Sequence, residues 1–434
     1  MQCGKNKPLE VIIDKGCTLM VEGPSTIVLK SGEVEVFGAK FKEGCNFEVE
    51  LFKSLPIYAI RKSKAEIYGG KASLVPCDTI PSDWRKLPSK LGFRKRGFRK
   101  VVVLGGIDVG KTGLITFLAN KLCSRGLKVG VIDADVGQSD IGPPTTIGLG
   151  VVDEPISSLS CARFVDAVFI GLTSPAALLH RAIAAVIQLI KVASDREKCN
   201  VILIDTTGWI DSKGRDYKIH KISAISPDFI VGIQHRDELE PILKWAERQY
   251  QVLRVPAASY ARPRTKSERK AIRESIYKRW FKGATVKELS FDKIAPIGTT
   301  LFTGTPIPKL LLDHLYKNSG MNIVYGEKTS EMLILVVDGG RANDDLKSKL
   351  ARAFNIQRVQ VCQSSLFKNL LVAFQSKDKL FEGLGIIVDA DFKKRKFKVL
   401  TKVDLEKELI MNFGYIKINS NTFEEEEWLR TILP

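Results

Sequence analysis

The 434-residue chain has only four histidines and no Cys-x-x-Cys pair, so it lacks the ligand spacing of a zinc site. Its eight cysteines stand far apart, at positions 3, 17, 45, 77, 123, 161, 199 and 362. That scatter excludes a dense disulfide scaffold and predicts reduced, buried thiols in an intracellular protein. No run of about 18 apolar residues occurs, so no helical membrane span and no membrane partner is expected. The first ten residues, MQCGKNKPLE, have no apolar core, which predicts no signal peptide and a cytoplasmic location, or a nuclear one in a eukaryote. Internal repeats and low-complexity tracts are missing as well. Acidic residues are the scarcer charge: 49 Asp and Glu stand against 67 Lys and Arg, a net charge of +18. Such an excess points to a polyanionic partner, with nucleic acid ahead of a membrane surface.

What is present is organised around Val101–Lys121, VVVLGGIDVGKTGLITFLANK. An aliphatic run reads as a buried strand. Gly105, Gly106, Ile107, Asp108, Val109, Gly110, Lys111, Thr112 and Gly113 follow, and then an apolar helical pattern at Leu114, Ile115, Leu118 and Leu122. Strand, G-x-x-x-x-G-K-[ST] and helix in that order form a Walker A loop. Its glycines let backbone N–H groups turn inward as an anion nest, and the helix N-terminus adds partial positive charge. Lys111 can reach the outer phosphates of ATP or GTP, and the Thr112 hydroxyl can ligate Mg²⁺.

Around this loop the chain divides into three stretches. Residues 1–88 carry short alternating runs punctuated by Gly, Pro and Lys, which predicts an N-terminal β-rich, sandwich-like domain. Residues 84–100 hold eight basic and no acidic residues and read as a solvated linker or a nucleic-acid contact. Residues 89–290 alternate strands (101–104, 129–133, 165–170, 201–205, 229–233) with helices (near 111–125, 175–194, 237–250, 266–280). That pattern predicts an α/β, doubly wound parallel sheet. Residues 291–434 return to β character and end in an acidic run, Glu424–Glu427, expected to face solvent. The fold class is therefore a central P-loop α/β domain flanked by N-terminal and C-terminal β-rich domains.

Ligands in doubly wound sheets gather at the carboxyl ends of strands. One expected strand ends in Asp133-Ala134-Asp135-Val136-Gly137-Gln138, two carboxylates and an amide that could hold Mg²⁺ or accept a proton from an attacking hydroxyl. The Gly142-Pro143-Pro144-Thr145 loop could present backbone to a ligand. Another strand ends in Val201-Ile202-Leu203-Ile204-Asp205-Thr206-Thr207-Gly208-Trp209. Asp205 fits the Walker B metal ligand, and Trp209 is placed to stack a base. Residues 260–282 carry nine basic and two acidic residues. There Arg269 and Arg273 share a helix face with Arg264 at or before its start, suiting a lid over phosphates. Thr401-Lys402-Val403-Asp404 matches a guanine-reading motif, but it lies 290 residues beyond Lys111 in the C-terminal β-rich region, and four residues are weak evidence.

These residues, in this order, resemble the polynucleotide 5′-hydroxyl kinases, the family of the pre-mRNA cleavage complex kinase subunit and the ribosomal-RNA processing kinases, in a compact archaeal form. The resemblance is carried by the Walker loop with Asp108 inside it, Asp133–Gln138, Pro144-Thr145, Phe169–Pro175, Thr206–Trp209 and the arginine-rich lid. Asn369–Val372 and Gly383–Ile386 extend it into the C-terminal region. The prolines at 143 and 144 depart from the family's usual single proline with a glycine. What the resemblance implies is transfer of phosphate from ATP or GTP to the 5′-hydroxyl of RNA, or also of DNA. Asp135 is then the general base, Lys111 stabilises the transferring phosphoryl group, and the catalytic lid residues Arg264 and Arg269 clamp phosphates. Gln138, Thr145, Ser174, Thr207, Trp209 and Arg273 bind substrate. Thr112, Asp135 and Asp205 hold Mg²⁺. RNA-processing protein partners cannot be named from the sequence. Two other readings share the Walker loop, a GTPase or ATPase switch and a nucleotide-bound RNA-processing scaffold without catalysis. Neither requires both Trp209 and the basic lid.

Overall fold

The computed structural model describes residues 7–93, 97–308, 310–313, 315, 321–340, 342–429 and 433; Cys3 and positions 94–96 of the basic 84–100 stretch lie outside them. The chain forms two compact units, Met1–Val168 with Thr173–Arg273, and Phe169–Leu172 with Glu274–Pro434.

The first unit begins with two antiparallel sheets. One has the strand order Leu9–Ile13, Ser63–Tyr68, Ser25–Ser31, Asn46–Val49. The other runs Ala39–Lys42, Glu33–Val36, Ser54–Ala59, Thr18–Glu22, Lys71–Val75. Alternate residues such as Ile13, Leu19, Val21, Ile27, Ile57 and Ile67 meet in one apolar cluster, as period-2 patterning requires. The next segment corrects the linker expectation. Ser82–Leu91 is a helix that buries Trp84, Leu87, Pro88 and Leu91, and Arg85 on it pairs with Glu35 and Asp78. Its basic residues hid an amphipathic period.

The seven-stranded sheet that follows has the order Arg163–Phe169, Thr146–Val152, Val129–Ala134, Val201–Thr206, Arg99–Gly105, Phe229–Gln234, Gln251–Pro256. Its centre is parallel, with the Walker strand between the Asp205 strand and Phe229–Gln234. Two strands were not foreseen. Thr146–Val152 pairs antiparallel with Val129–Ala134; its glycines weaken the strand signal, and a Cβ at Gly148 would lie 1.9 Å from the Ile141 carbonyl oxygen. Gln251–Pro256 is a short edge strand with mixed polarity.

Helices Lys111–Cys123, Leu179–Lys191 and Glu240–Ala246 answer to expected ones, the latter two shorter at their ends. Ser212–Ile225 was missed, because two of its buried positions are lysines rather than apolar residues.

The second unit contains the sheet Thr285–Ser290, Lys396–Thr401, Phe381–Asp391, Leu370–Gln375, Leu409–Ile418, Ile294–Ile297 and a smaller four-stranded sheet. In the smaller sheet Met332–Val337 and Arg358–Gln363 are parallel, and the helix Asp344–Ala353 connects them. The acidic tail does not simply face solvent: Glu425–Trp428 is a strand on Leu409–Ile418, and Glu425 is buried. Thr401 is buried, with its hydroxyl donating to the Leu384 carbonyl, so the T-K-x-D segment begins inside a sheet of this unit rather than the Walker sheet.

Among the described cysteines all are free thiols. Cys199 and Cys362 are buried, but Cys77 and Cys161 are exposed, against the expectation of burial. No helix among the described residues is long and apolar enough to cross a membrane.

Candidate active site

The Walker strand delivers Gly105 to a turn that only a tight backbone can make. A Cβ at Gly105 would lie 2.6 Å from Val109 Cγ2, and Gly110 caps the following helix with φ of +96°, a conformation that glycine adopts at little cost. Lys111 is buried, and its Nζ donates to the Gly106 carbonyl at 2.6 Å. The Thr112 hydroxyl donates to Asp205 Oδ2 at 3.1 Å.

A cavity of about 640 Å³ opens over this loop, wholly within the first unit. Ile107, Asp108, Gly110, Lys111, Thr112 and Gly113 line it, with Gly105, Gly106 and Val109 forming the turn behind. Asp135, Gln138, Ser174, Asp205, Thr207, Trp209, Arg264, Arg269 and Arg273 line it too. Thr145 does not. It is fully buried at φ of +68°, and its hydroxyl turns back to the Pro144 carbonyl, so its side chain is not among those the cavity presents, unlike the other expected substrate-binding residues.

Parallel pairing sets Asp133 opposite Asp205 and Ala134 opposite Thr206. The carboxylates at these strand ends divide the work. Asp133 accepts N–H groups from Asp140 at 2.5 Å and Ile141 at 3.1 Å, and the Ser139 hydroxyl at 3.3 Å. It braces the 133–141 turn. Burial, reinforced by the charges of Asp205, Asp140 and Asp135, pushes its carboxyl well above the usual range. Asp205 is pushed up to about 6, chiefly by burial; Lys111 opposes the shift and Asp135 adds to it. Asp135 faces the cavity with Oδ1 accepting the Gly137 N–H at 3.1 Å.

Four further residues were not singled out in the sequence. Lys218 is buried and donates to the Thr207 carbonyl at 2.6 Å and to Thr206 Oγ1 at 3.2 Å. Thr206 Oγ1 in turn donates to the Val103 carbonyl at 2.8 Å. One ammonium thus ties the Asp205 strand end to the segment bearing Trp209, and burial drives its pKa well below the lysine norm. One turn on, Lys221 lies 5.6 Å from the centre of the Tyr217 ring, its pKa lowered to about 8 by burial. Tyr217 itself packs beside Trp209 with ring centres 6.2 Å apart. Lys53, from the N-terminal sheets, lines the cavity between the carboxylates of Glu50 and Asp140. Those two charges outweigh burial and raise its pKa. The available signal for Tyr217, Lys218 and Lys221 was their shared helical face directly after the Trp209 segment. For Lys53, no local signal existed.

Two features close the cavity. Gly208 packs against the Walker loop so tightly that a Cβ there would lie 2.6–2.8 Å from Ile107 atoms. The segment before helix Lys266–Trp280 carries Arg262 and Arg264, whose guanidinium groups donate to the Phe52 carbonyl at 3.3 and 3.2 Å. From the helix, Arg273 donates to the Gly137 carbonyl at 3.3 Å, and Gln138 Nε2 donates to the Arg269 carbonyl at 3.3 Å.

Comparison with known proteins agrees with this arrangement. The family described as mRNA cleavage and polyadenylation factor CLP1 P-loop matches residues 105–283. A polyribonucleotide 5′-hydroxyl-kinase of Methanocaldococcus jannaschii is 33% identical over 328 residues, which cover 74% of this chain and 88% of that one. One from Pyrococcus furiosus is 32% identical over 347 residues, covering 79% and 94%. Among solved structures, a wild-type Clp1p–Pcf11p complex matches with a TM-score of 0.66 over 96% of this chain and 99% of that chain, at 13% identity, a likeness of fold. The Walker loop, its cavity and these matches across most of both chains lead to one conclusion: this chain belongs to the polyribonucleotide 5′-hydroxyl-kinase family with a CLP1-type P-loop.

Proposed function

We infer that this chain is a phosphotransferase that moves the γ-phosphoryl group of ATP or GTP to the 5′-hydroxyl of RNA, with 5′-hydroxyl DNA as the acceptor to compare. The observation that carries the reading is the convergence of Lys111, Asp135, Trp209 and the lid arginines on one cavity. Phosphoryl transfer asks for positioning and charge neutralisation more than for covalent chemistry. Lys111, held beside the Gly106 carbonyl, swings to the transferring phosphoryl group. Asp135 takes the proton of the 5′-hydroxyl, and Arg264 and Arg269 neutralise phosphate charge from the lid. Thr207 Oγ1 and Gln138 Oε1 are buried without a hydrogen-bond partner, which suits groups that await a substrate. Trp209 offers a face for the terminal base, and Ser174 and Arg273 complete the acceptor side.

The donor set suits Mg²⁺. Thr112 and Asp205 present hard oxygens 3.1 Å apart, with Asp135 near enough to shift the Asp205 carboxyl. Among the described residues no cluster of three His, Cys, Asp or Glu could hold a metal. Few protein ligands, completed by substrate oxygens, is the usual way Mg²⁺ is held. Bound there, the ion would neutralise charge on the phosphates.

A hydrolytic switch would need neither Trp209 nor the lid arginines that line the cavity. The deciding experiment supplies each of four γ-labelled nucleoside triphosphates with paired 5′-hydroxyl RNA and DNA oligomers. Label should move to the 5′ end, and Lys111→Ala and Asp135→Ala should each abolish the transfer. Full activity in either variant would sink the assignment.

A further inference from the structure

The Walker pattern leaves the position of Asp108 free, yet this residue sits at φ of +55°, a conformation uncommon outside glycine and tolerated best by Asn and Asp. Its side chain explains the choice. Asp108 Oδ2 accepts the backbone N–H of Arg264 at 2.9 Å and pairs with Arg269 Nη2 at 2.7 Å. One carboxylate oxygen of the phosphate loop therefore holds the lid at two points, more than 150 residues away in sequence. Both side chains are largely shielded, at 21% exposure for Asp108 and 23% for Arg269. Arg269 Nε, by contrast, is buried with no hydrogen-bond partner. Its guanidinium is thus only partly satisfied by Asp108, and it faces the cavity where the phosphates would lie.

We propose that Asp108 is a positioning residue: it stands in for phosphate in the nucleotide-free protein, latching the lid over the loop, and hands Arg269 to the nucleotide when the site fills. The handover rests on the kinase reading above; the latch does not. Two charge-assisted bonds on a shielded carboxylate are enough to set the lid's opening equilibrium. A second acceptor with more negative charge, a triphosphate in the adjacent nest, would draw the guanidinium away, since Arg matches phosphate oxygens through paired N–H groups.

The lid segment carries its own reporter, because Arg264, Lys266, Arg269 and Lys270 are trypsin sites. Proteolysis of such a segment follows the population of its open form when opening is fast. Full-length wild type, Asp108→Ala and Asp108→Asn are digested with limiting trypsin, without nucleotide and with a saturating non-hydrolysable ATP analogue. Without nucleotide, Asp108→Ala should be cut in the lid about ten-fold faster than wild type. Asp108→Asn, which keeps an acceptor for the Arg264 N–H but loses the charge, should fall between, while cleavage elsewhere is unchanged. Equal lid cleavage in all three overturns the latch, whatever the enzyme's activity. With the analogue bound, the three rates should converge. A difference that persists in the nucleotide complex overturns the handover and makes Asp108 a permanent strut. Analogue binding is measured separately by equilibrium dialysis, so a failure of the nucleotide reading is distinguished from a failure of the latch.

Discussion

Asp205→Asn should stabilise the nucleotide-free protein while destroying its activity. Asp205 is 3% exposed, and its pKa is raised from 3.8 to about 6. A carboxyl with a raised folded pKa contributes stability that is complete below its unfolded value and lost as pH rises through the folded one. At pH 8 it is ionised in both states, so folding carries the cost of a charge in a place that disfavours it. A shift of roughly 2 units at 1.36 kcal/mol each gives about 3 kcal/mol. Asparagine removes the charge and keeps the shape. Its Oδ1 can still accept the Thr206 N–H, which lies 2.7 Å from Asp205 Oδ1, and its amide can donate to the Thr112 hydroxyl. At pH 8 the variant should therefore melt higher, by roughly 5 °C for a unit of this size, and the gain should shrink as pH falls from 6 toward 4. Differential scanning calorimetry or fluorescence melts at pH 8, 6 and 4.5 read this directly. Mg²⁺ with nucleotide should raise the melting temperature of wild type but not of the variant, and phosphate transfer by the variant should be lost. An unchanged melting temperature at pH 8, or an equal loss at every pH, would refute the argument that buried charge at this strand end is a standing cost.

Substitutions at two other positions probe the walls of the cavity. Gly208→Ala places a Cβ within 2.8 Å of Ile107 backbone; overpacking of this kind costs about 1–3 kcal/mol. It should lower kcat/KM about ten-fold by displacing the phosphate loop, and near-wild-type kinetics would show that the two segments can part freely. Trp209→Ala should raise the KM for 5′-hydroxyl RNA by about ten-fold or more, because stacking on an aromatic side chain contributes about 1–3 kcal/mol per base. Trp209→Phe should recover most of it, and a KM unchanged in both variants would remove Trp209 from the acceptor site.

The physical reasons behind this division of labour are visible in particular residues. Local sequence carried the Walker loop, because a nest of inward N–H groups requires glycine at defined steps between a strand and a helix, and no distant contact can substitute for them. It likewise carried Asp205, Asp135 and Trp209, each just beyond an aliphatic strand whose period is short and unambiguous. Most N-terminal strands were legible from alternating or apolar runs, but Ala39–Lys42 and Lys71–Val75 were not.

Signals failed wherever burial and polarity part company. Helix Ser212–Ile225 was overlooked since Lys218 and Lys221 occupy its buried face, and the helix Ser82–Leu91 disappeared among basic residues. Thr146–Val152 was lost behind glycines that close packing demands. For Thr145 the family resemblance implies a substrate contact, yet its hydroxyl turns inward to the Pro144 carbonyl.

By itself, then, the sequence determined that a triphosphate loop, two cavity carboxylates, an aromatic and a basic lid exist in one chain, because each is built from neighbours. Only the tertiary structure decided that Asp133 braces a turn while Asp135 faces the cavity, that Lys53 arrives from the N-terminal sheets, and that Asp108 holds Arg264 and Arg269. Those outcomes depend on carboxylates meeting donors from remote segments, and a charge in a sequence carries no record of which partner will share its burial.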